Sequence, residues 1–406
     1  MWTTDYSNLS EQELEQIQKN IGRNGEQLRV FIADIVPKPS LGSLPEGEMQ
    51  LHSVNMEDRM YELENLVMTY GGVVILEHIQ KRGIPDYNTY IGSGKLEEIM
   101  HEMQLQNANL LVLGNILKPH QIYKLNEKLK SIWAVAWDRV DLILKIFERN
   151  ARTEETKLQI ELAAIKHMWP RIFNMGMELG KQGGKGSGET NTEIMKRHLA
   201  KREKEIRKKL DNYSKVRENH RLWRKKKGFI TVWIVWYTNA GKSTLLNALT
   251  NKWVLSEDKL FATLWTSVGK MWIAPESQSD GVYRKGTEIL LSDTIWFIQN
   301  LPPQLIDAFA STLEDSIESD ILLHIIDASD PKIHEKINVV HEILDSIWAE
   351  QTRILVMNKI DLLNTKDLDL LKKNFSEYNP IYISTHTREW LEEISQRILQ
   401  EQNKLR

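Results

Sequence analysis

The sequence predicts an α/β protein in three parts. They are a small N-terminal α/β domain, a helical hairpin linker, and a C-terminal domain on a doubly wound sheet. Three observations lead there. Short apolar runs alternate with amphipathic stretches over residues 28–150, the rhythm of strands covered by helices. Two long helical patterns, broken by a glycine-rich stretch, fill residues 151–227. From residue 228 to 406 a strand–loop–helix order recurs, as in sheets whose loops gather at the strand C-termini.

The elements follow in order. Residues 1–27 are polar and are expected to be a loose segment. "LRVFIADIV" (Leu28–Val36), "GVVILEHI" and "NLLVLG" read as buried strands. "MYELENLVMTYG", closed by glycine, "KLEEIMHEMQLQN" and "PHQIYKLNEKL" read as the helices between and after them. "EETKLQIELAAIKHM" carries apolar residues at Leu158, Ile160, Leu162, Ile165 and Met168, close to a 3–4 repeat. "GKQGGKGSGETNTE" (Gly180–Glu193) is a turn, with five glycines in the nine positions 180–188. The second hairpin helix runs on through "RENHRLWRKKK". Beyond it, "ITVWIV", "EILLSDTI", "DILLHIIDAS", "TRILVMNKI" and "PIYISTHT" read as strands, with "KSTLLNALT" and "EKINVVHEILDSI" as helices.

Composition narrows the class. An apolar fraction of 41% and a charged fraction of 27% suit a folded globular chain. No run of eighteen apolar residues occurs, so no membrane span is expected, and the polar N-terminus has no secretory pattern. Zero cysteines exclude disulfides and thiolate metal sites. A cytoplasmic, monomeric protein is the expectation. The net charge of −3 is unevenly spread. Residues 194–228 hold 15 Lys or Arg against 4 Asp or Glu, leaving about −14 for the rest. Such a segment faces a polyanion. Tryptophan is over-used, with 13 residues.

Three motifs carry chemistry. "WYTNAGKS" (Trp236–Ser243) lies between a strand and a helix. Its backbone at Tyr237, Thr238, Asn239, Ala240 and Gly241 is placed to wrap phosphates, Lys242 to reach the β- and γ-phosphates, and Ser243 to ligate Mg²⁺, with Thr244 following in the same helical turn. "LLSDTIWF" ends a strand at Asp293, about fifty residues on, where a carboxylate holds Mg²⁺ through water. "VMNKID" (Val356–Asp361) follows an apolar strand and selects the base: Asn358, Lys359 and Asp361 suit guanine, whose N1–H and amino group pair with one carboxylate. A nucleotide lacking that donor pair would leave Asp361 unsatisfied, at a cost of several kcal/mol. Ser384 and Thr385 in "YISTHT" then supply the last loop around the base.

These motifs, with "EDKLFATL", "LLHIIDASDP" and, upstream, "WDRVDLILKIFERNARTEETKLQIELA" and "YIGSGKLEEI", resemble the HflX family of ribosome-associated GTPases across roughly residues 28–400. The resemblance implies a P-loop GTPase domain at 228–406, GTP and Mg²⁺ as ligands, and GTP hydrolysis by in-line attack of water. It implies Lys242 and Thr263 as catalytic, with Thr263 joining Ser243 on the metal and Thr266 as the second choice for that switch role. Phe297 stands where other GTPase families carry a water-orienting glutamine, which implies slow turnover stimulated by a partner. The implied partner is the large ribosomal subunit and its rRNA, met by the basic helix, with splitting or rescue of stalled ribosomes as the role. A weak ATP site around Gly92, Gly94 and Lys95 is a further implication, although a plain strand-to-helix turn explains those residues equally well.

The chain departs from the family at glycines. Trp236, Trp296 and Trp390 occupy positions that are glycine in the family's G-Y-T-N-A-G-K-S, D-T-V-G-F and T-G-E-G-L patterns, and Arg388 replaces another. Trp169, Trp253 and Trp265 are weaker cases of the same kind. The glycine-rich turn is also shorter than the family's and lacks its arginine. Two explanations stand open at this point. Some bacterial lineages read the codon UGA as glycine where another common code reads tryptophan; alternatively, the tryptophans are genuine and the G domain is a defective, non-hydrolysing RNA-binding module.

Overall fold

The structure is a computed structural model that describes residues 28–36, 46–180, 191–236, 240–250, 268–273, 287–293, 319–385 and 391–405. The glycine-rich turn at 181–190 lies outside them. The chain divides into two compact units: Met1–Arg149 with Ala164–Arg202, and Asn150–Ala163 with Glu203–Arg406.

The first unit holds a four-stranded parallel sheet. Its strands are β1 (Leu28–Val36), β2 (Gly72–Lys81), β3 (Leu110–Leu113) and β4 (Val135–Trp137), in the order β2-β1-β3-β4. Both faces of β1 and β3 are buried, which is why they read as continuous apolar runs. The helices are α1 (Glu46–Tyr70), α2 (Ser93–Leu105), α3 (Pro119–Leu129) and α4 (Arg139–Asn150). α1 starts well before the apolar pattern that announces it. Leu96, Ile99 and Met103 of α2, with Ile122, Leu125 and Leu129 of α3, pack on Phe31, Leu111 and Leu113 in one core. α4 opens on a reciprocal cap: Asp138 Oδ1 accepts from the Asp141 N–H at 2.9 Å, and Asp141 Oδ2 accepts from the Asp138 N–H at 3.1 Å.

The hairpin helices are α5 (Glu154–Gly180) and α6 (Asn191–Lys226), and each contributes to both units. Within the second unit, Arg217 of α6 pairs with Glu155 of α5, which sets the late part of one helix beside the start of the other, as in an antiparallel hairpin.

The second unit holds a six-stranded sheet. Its strands are β5 (Ile230–Trp236), β6 (Val268–Ile273), β7 (Thr287–Asp293), β8 (Ile321–Asp327), β9 (Thr352–Asn358) and β10 (Ile381–Tyr382), in the order β10-β9-β8-β5-β7-β6. The helices are α7 (Lys242–Leu249), α8 (Ile333–Ser346), α9 (Thr365–Asn374) and α10 (Leu391–Leu405). All neighbours run parallel except β6, which pairs antiparallel with β7 along the sheet edge. β10 is only two residues long, shorter than "PIYISTHT" suggests. No helix among the described residues is long and apolar enough to cross a membrane.

Candidate nucleotide site

The second sheet switches direction of build at β5. The chain leaves β5 to form β7 on one side and β8 on the other, and the carboxyl end at such a switch point is where sheets of this kind bind ligands. Three positions singled out in the sequence, Trp236, Asp293 and Asn358, reach that edge together with Asp327. Trp236 ends β5 level with Ile325, Asp293 ends β7 level with Ile234, and Asp327 and Asn358 end β8 and β9 opposite each other.

The turn from β5 into α7 requires a glycine. Gly241 is the N-cap of α7 with φ +80° and ψ 24°, a left-handed conformation. A Cβ there would also collide with the amide of Asn358. Ala240 beside it is buried, and the Gly241 carbonyl accepts the first helical bond from the Leu245 N–H at 3.0 Å. α7 thus begins at the strand edge with its free N–H groups and positive dipole end there. Lys242 and Ser243 are its first two residues and Thr244, exposed, its third.

Asn358 fastens this turn to the rest of the edge. It is fully buried. Its Nδ2 donates to the Ala240 carbonyl at 2.8 Å, and its Oδ1 accepts from the Thr385 N–H at 3.2 Å. Lys359 follows in a left-handed conformation, φ 64°, and its ammonium meets Asp327 Oδ2 at 2.6 Å. Asp361 sits in a short 3-10 turn, Ile360–Leu362, where its Oδ1 accepts from Ser384 Oγ at 2.5 Å. The Ile360 N–H bonds the Ile383 carbonyl, which holds the turn against the segment after β10. Ala240, Gly241, Asn358, Lys359, Asp361, Ser384 and Thr385, spread over about 145 residues, therefore form one hydrogen-bonded assembly. Spacing alone did not reveal Asp327 as the partner of Lys359, although the aspartate ending "ILLHIID" was the available signal.

Tyr237, Thr238, Asn239, Thr263, Thr266, Trp253, Trp265, Trp296, Phe297, Arg388 and Trp390 lie outside the described residues. In the first unit, the Gly92 N–H donates to Gln80 Oε1 at 2.9 Å and Lys95 pairs with Glu98 at 2.7 Å; Gly92 caps α2 as a strand-to-helix turn would.

The comparisons with known proteins match this architecture segment by segment. Residues 57–148 match the model of a GTP-binding GTPase N-terminal region, 150–224 that of a GTP-binding GTPase middle region, and 231–359 that of a 50S ribosome-binding GTPase. GTPase HflX of Caldanaerobacter subterraneus subsp. tengcongensis is 42% identical over 329 residues, 78% of this chain and 74% of its own length. The chain belongs to the HflX GTPase family. Relatives of the same name from Escherichia coli, 35% identical over 82% of this chain and 76% of theirs, and from Methanocaldococcus jannaschii, 37% identical over 80% and 78%, agree. The chain is thus a GTP-binding, GTP-hydrolysing enzyme of the P-loop class. A GDP complex of a GTP-binding protein from Sulfolobus solfataricus aligns over 93% of this chain and 99% of that one at 25% identity. Its TM-score of 0.44 adds nothing to what the sequence relatives establish.

Proposed function

We propose that this HflX-family GTPase binds GTP at the carboxyl edge of β5, β7 and β9 and acts on the large ribosomal subunit, separating or rescuing stalled ribosomes. The observation that carries the nucleotide part is the Asn358 tie. One buried amide fixes the phosphate turn at Ala240 and the base loop at Thr385, so the two ends of a bound nucleotide are held at a set distance.

In this reading the backbone from Tyr237 through Thr244 cradles the phosphates, and Lys242 neutralises the charge that grows on the β–γ bridge during transfer. Asp361 accepts from guanine N1–H and its amino group; Ser384 orients that carboxylate, and Ser384 and Thr385 close the base loop. Lys359, held by Asp327, borders the base. The donor set fits Mg²⁺, a hard cation that takes oxygen ligands: Ser243 and Thr263 offer hydroxyls, and Asp293, at the strand edge, a carboxylate acting through water. Bound there, the ion would supply positive charge that offsets the charge on the phosphates. Lys242 and Thr263 are the catalytic residues of the proposal.

Competition binding tests the base assignment. GTP and GDP should displace a fluorescent guanine nucleotide while ATP should not, and Asp361→Asn should shift preference towards xanthine nucleotides, whose 2-oxo group suits an amide donor. Equal affinity for ATP and GTP would refute it. For the ribosomal part, co-sedimentation should recover the protein with isolated large subunits in the presence of a non-hydrolysable GTP analogue; recovery with small subunits alone would refute it.

A further inference from the structure

Two tryptophans stand in backbone conformations that belong to glycine. α8 ends in a paired closure: the Ala349 N–H reaches back to the Leu344 carbonyl at 3.0 Å, and the Trp348 N–H to the Asp345 carbonyl at 3.0 Å. Trp348 is the residue between, at φ 60°. The turn after α3 closes in the same way. The Ala134 N–H bonds the Leu129 carbonyl at 3.2 Å, the Trp133 N–H bonds the Lys130 carbonyl at 3.2 Å, and Trp133 sits at φ 60°, ψ 31°. In both, the next residue is a buried alanine packed in the same core as the leucine whose carbonyl it bonds. These are complete left-handed helix terminations, in which the left-handed position is normally glycine and sometimes asparagine. A branched or bulky side chain there is an outlier.

The other described α-helices that end on a left-handed residue obey that rule. α1 closes on Gly71 at φ 96°, α2 on Asn107 at φ 49°, and α6 on Gly228 at φ 72°. Among the described residues, five α-helices are followed by a left-handed residue, and three of these use glycine or asparagine. Neither tryptophan is a core residue: they are 60% and 78% exposed.

The geometry assigns glycine to positions 133 and 348 in the protein as its own cell makes it, with the codon behind these tryptophans read as glycine there. This rests on backbone conformation alone and does not depend on the nucleotide site. The same reading extends to positions 236, 296 and 390, and that extension does rest on the GTPase reading. There it restores the clearance that a phosphate turn needs for close backbone approach.

Peptide mass spectrometry of the protein isolated from its native cells, read beside its gene, is the direct test. Glycine masses at 133 and 348, over the same UGA triplet, are expected; tryptophan masses would overturn the assignment whatever the protein does with GTP. The premise of strain has its own test in the recombinant chain as printed. W348G should raise the melting temperature of the second unit by about 2–4 °C, and W348A should gain clearly less, because alanine keeps a Cβ in the left-handed region. Equal gains from glycine and alanine would mean that the exposed ring, not the backbone, is the fault, and would remove the basis of the inference.

Discussion

At the scale of single residues, Asn358 has the largest reach in the second unit. It is a buried amide whose donor and acceptor are both spent on backbone groups of other segments. Removing it leaves the Ala240 carbonyl and the Thr385 N–H without that partner, and an unsatisfied buried group costs about 1–3 kcal/mol. Asn358→Ala should therefore lower unfolding free energy by on the order of 2 kcal/mol and weaken GTP binding at least tenfold, read by urea unfolding and by nucleotide titration. A loss of stability with affinity intact would show that the two loops hold their spacing without it. The residue itself was legible in the sequence, because "NKID" after an apolar strand points to the guanine site. Its structural task was not, since the partners lie 118 and 27 residues away and only the folded sheet brings them together.

At the scale of elements, apolar periodicity foretold most strands and helices, because buried parallel strands and amphipathic helices leave distinct patterns. It failed where burial is one-sided or weak. β6 lies at an edge and carries an exposed Trp272 at its end, so "VGKMWI" announces no core strand. The first half of α1 has no apolar stripe. The left-handed helix ends at Trp133 and Trp348 were invisible for a different reason: φ is not written in residue type when the type is wrong for it.

Two elements carry histidines, one buried and one half-buried, whose energetics oppose each other. In β8, His324 is fully buried with no hydrogen-bond partner on either ring nitrogen. Burial, then the nearby His341 and Arg353, push its pKa down to about 3. The unfolded chain takes up this proton near pH 6.5 and the folded one does not, so stability is present above that pH and lost as pH falls toward 3. On α5, His167 faces Asp138 and Asp141 beside Arg171, whose guanidinium bonds both carboxylates at 2.8–3.0 Å. That guanidinium already neutralises a trio which otherwise has the makings of a cation site. Burial alone would lower His167, but hydrogen bonds to the two carboxylates raise it to about 9. Its contribution is complete below pH 6.5 and disappears as pH rises through 9. His324→Leu should flatten the acid limb of the stability curve by up to about 3 kcal/mol, and His167→Gln the alkaline limb by a similar amount. Chemical denaturation at a series of pH values would check both; limbs unchanged in the variants would place the titrating groups elsewhere.

At the scale of the whole molecule, charge segregation is the property with the widest consequence. A chain of net charge −3 concentrates an excess of 11 positive charges in residues 194–228, almost all of α6. Some of that charge is spent locally, on Glu203 by Arg207 and on Asp211 by Lys215, both in exposed pairs that contribute little. The last turn is the densest part, with Arg224, Lys225 and Lys226, and Lys227 follows. If α6 meets rRNA, each phosphate it neutralises releases counterions, and log affinity falls linearly with log salt. The slope counts the contacts, about 0.7–0.9 per phosphate, so it separates a binding helix from a merely solvated one. Replacing Arg224, Lys225, Lys226 and Lys227 together with alanine should weaken binding to large subunits and reduce the slope by roughly 3. GTP binding, measured on the same variant, should stay unchanged, because none of the four lies in the assembly around Asn358. Weaker ribosome binding with an unaltered slope would mean that the helix was destabilised rather than disarmed, and α6 would then be a solvated arm with its partner surface elsewhere.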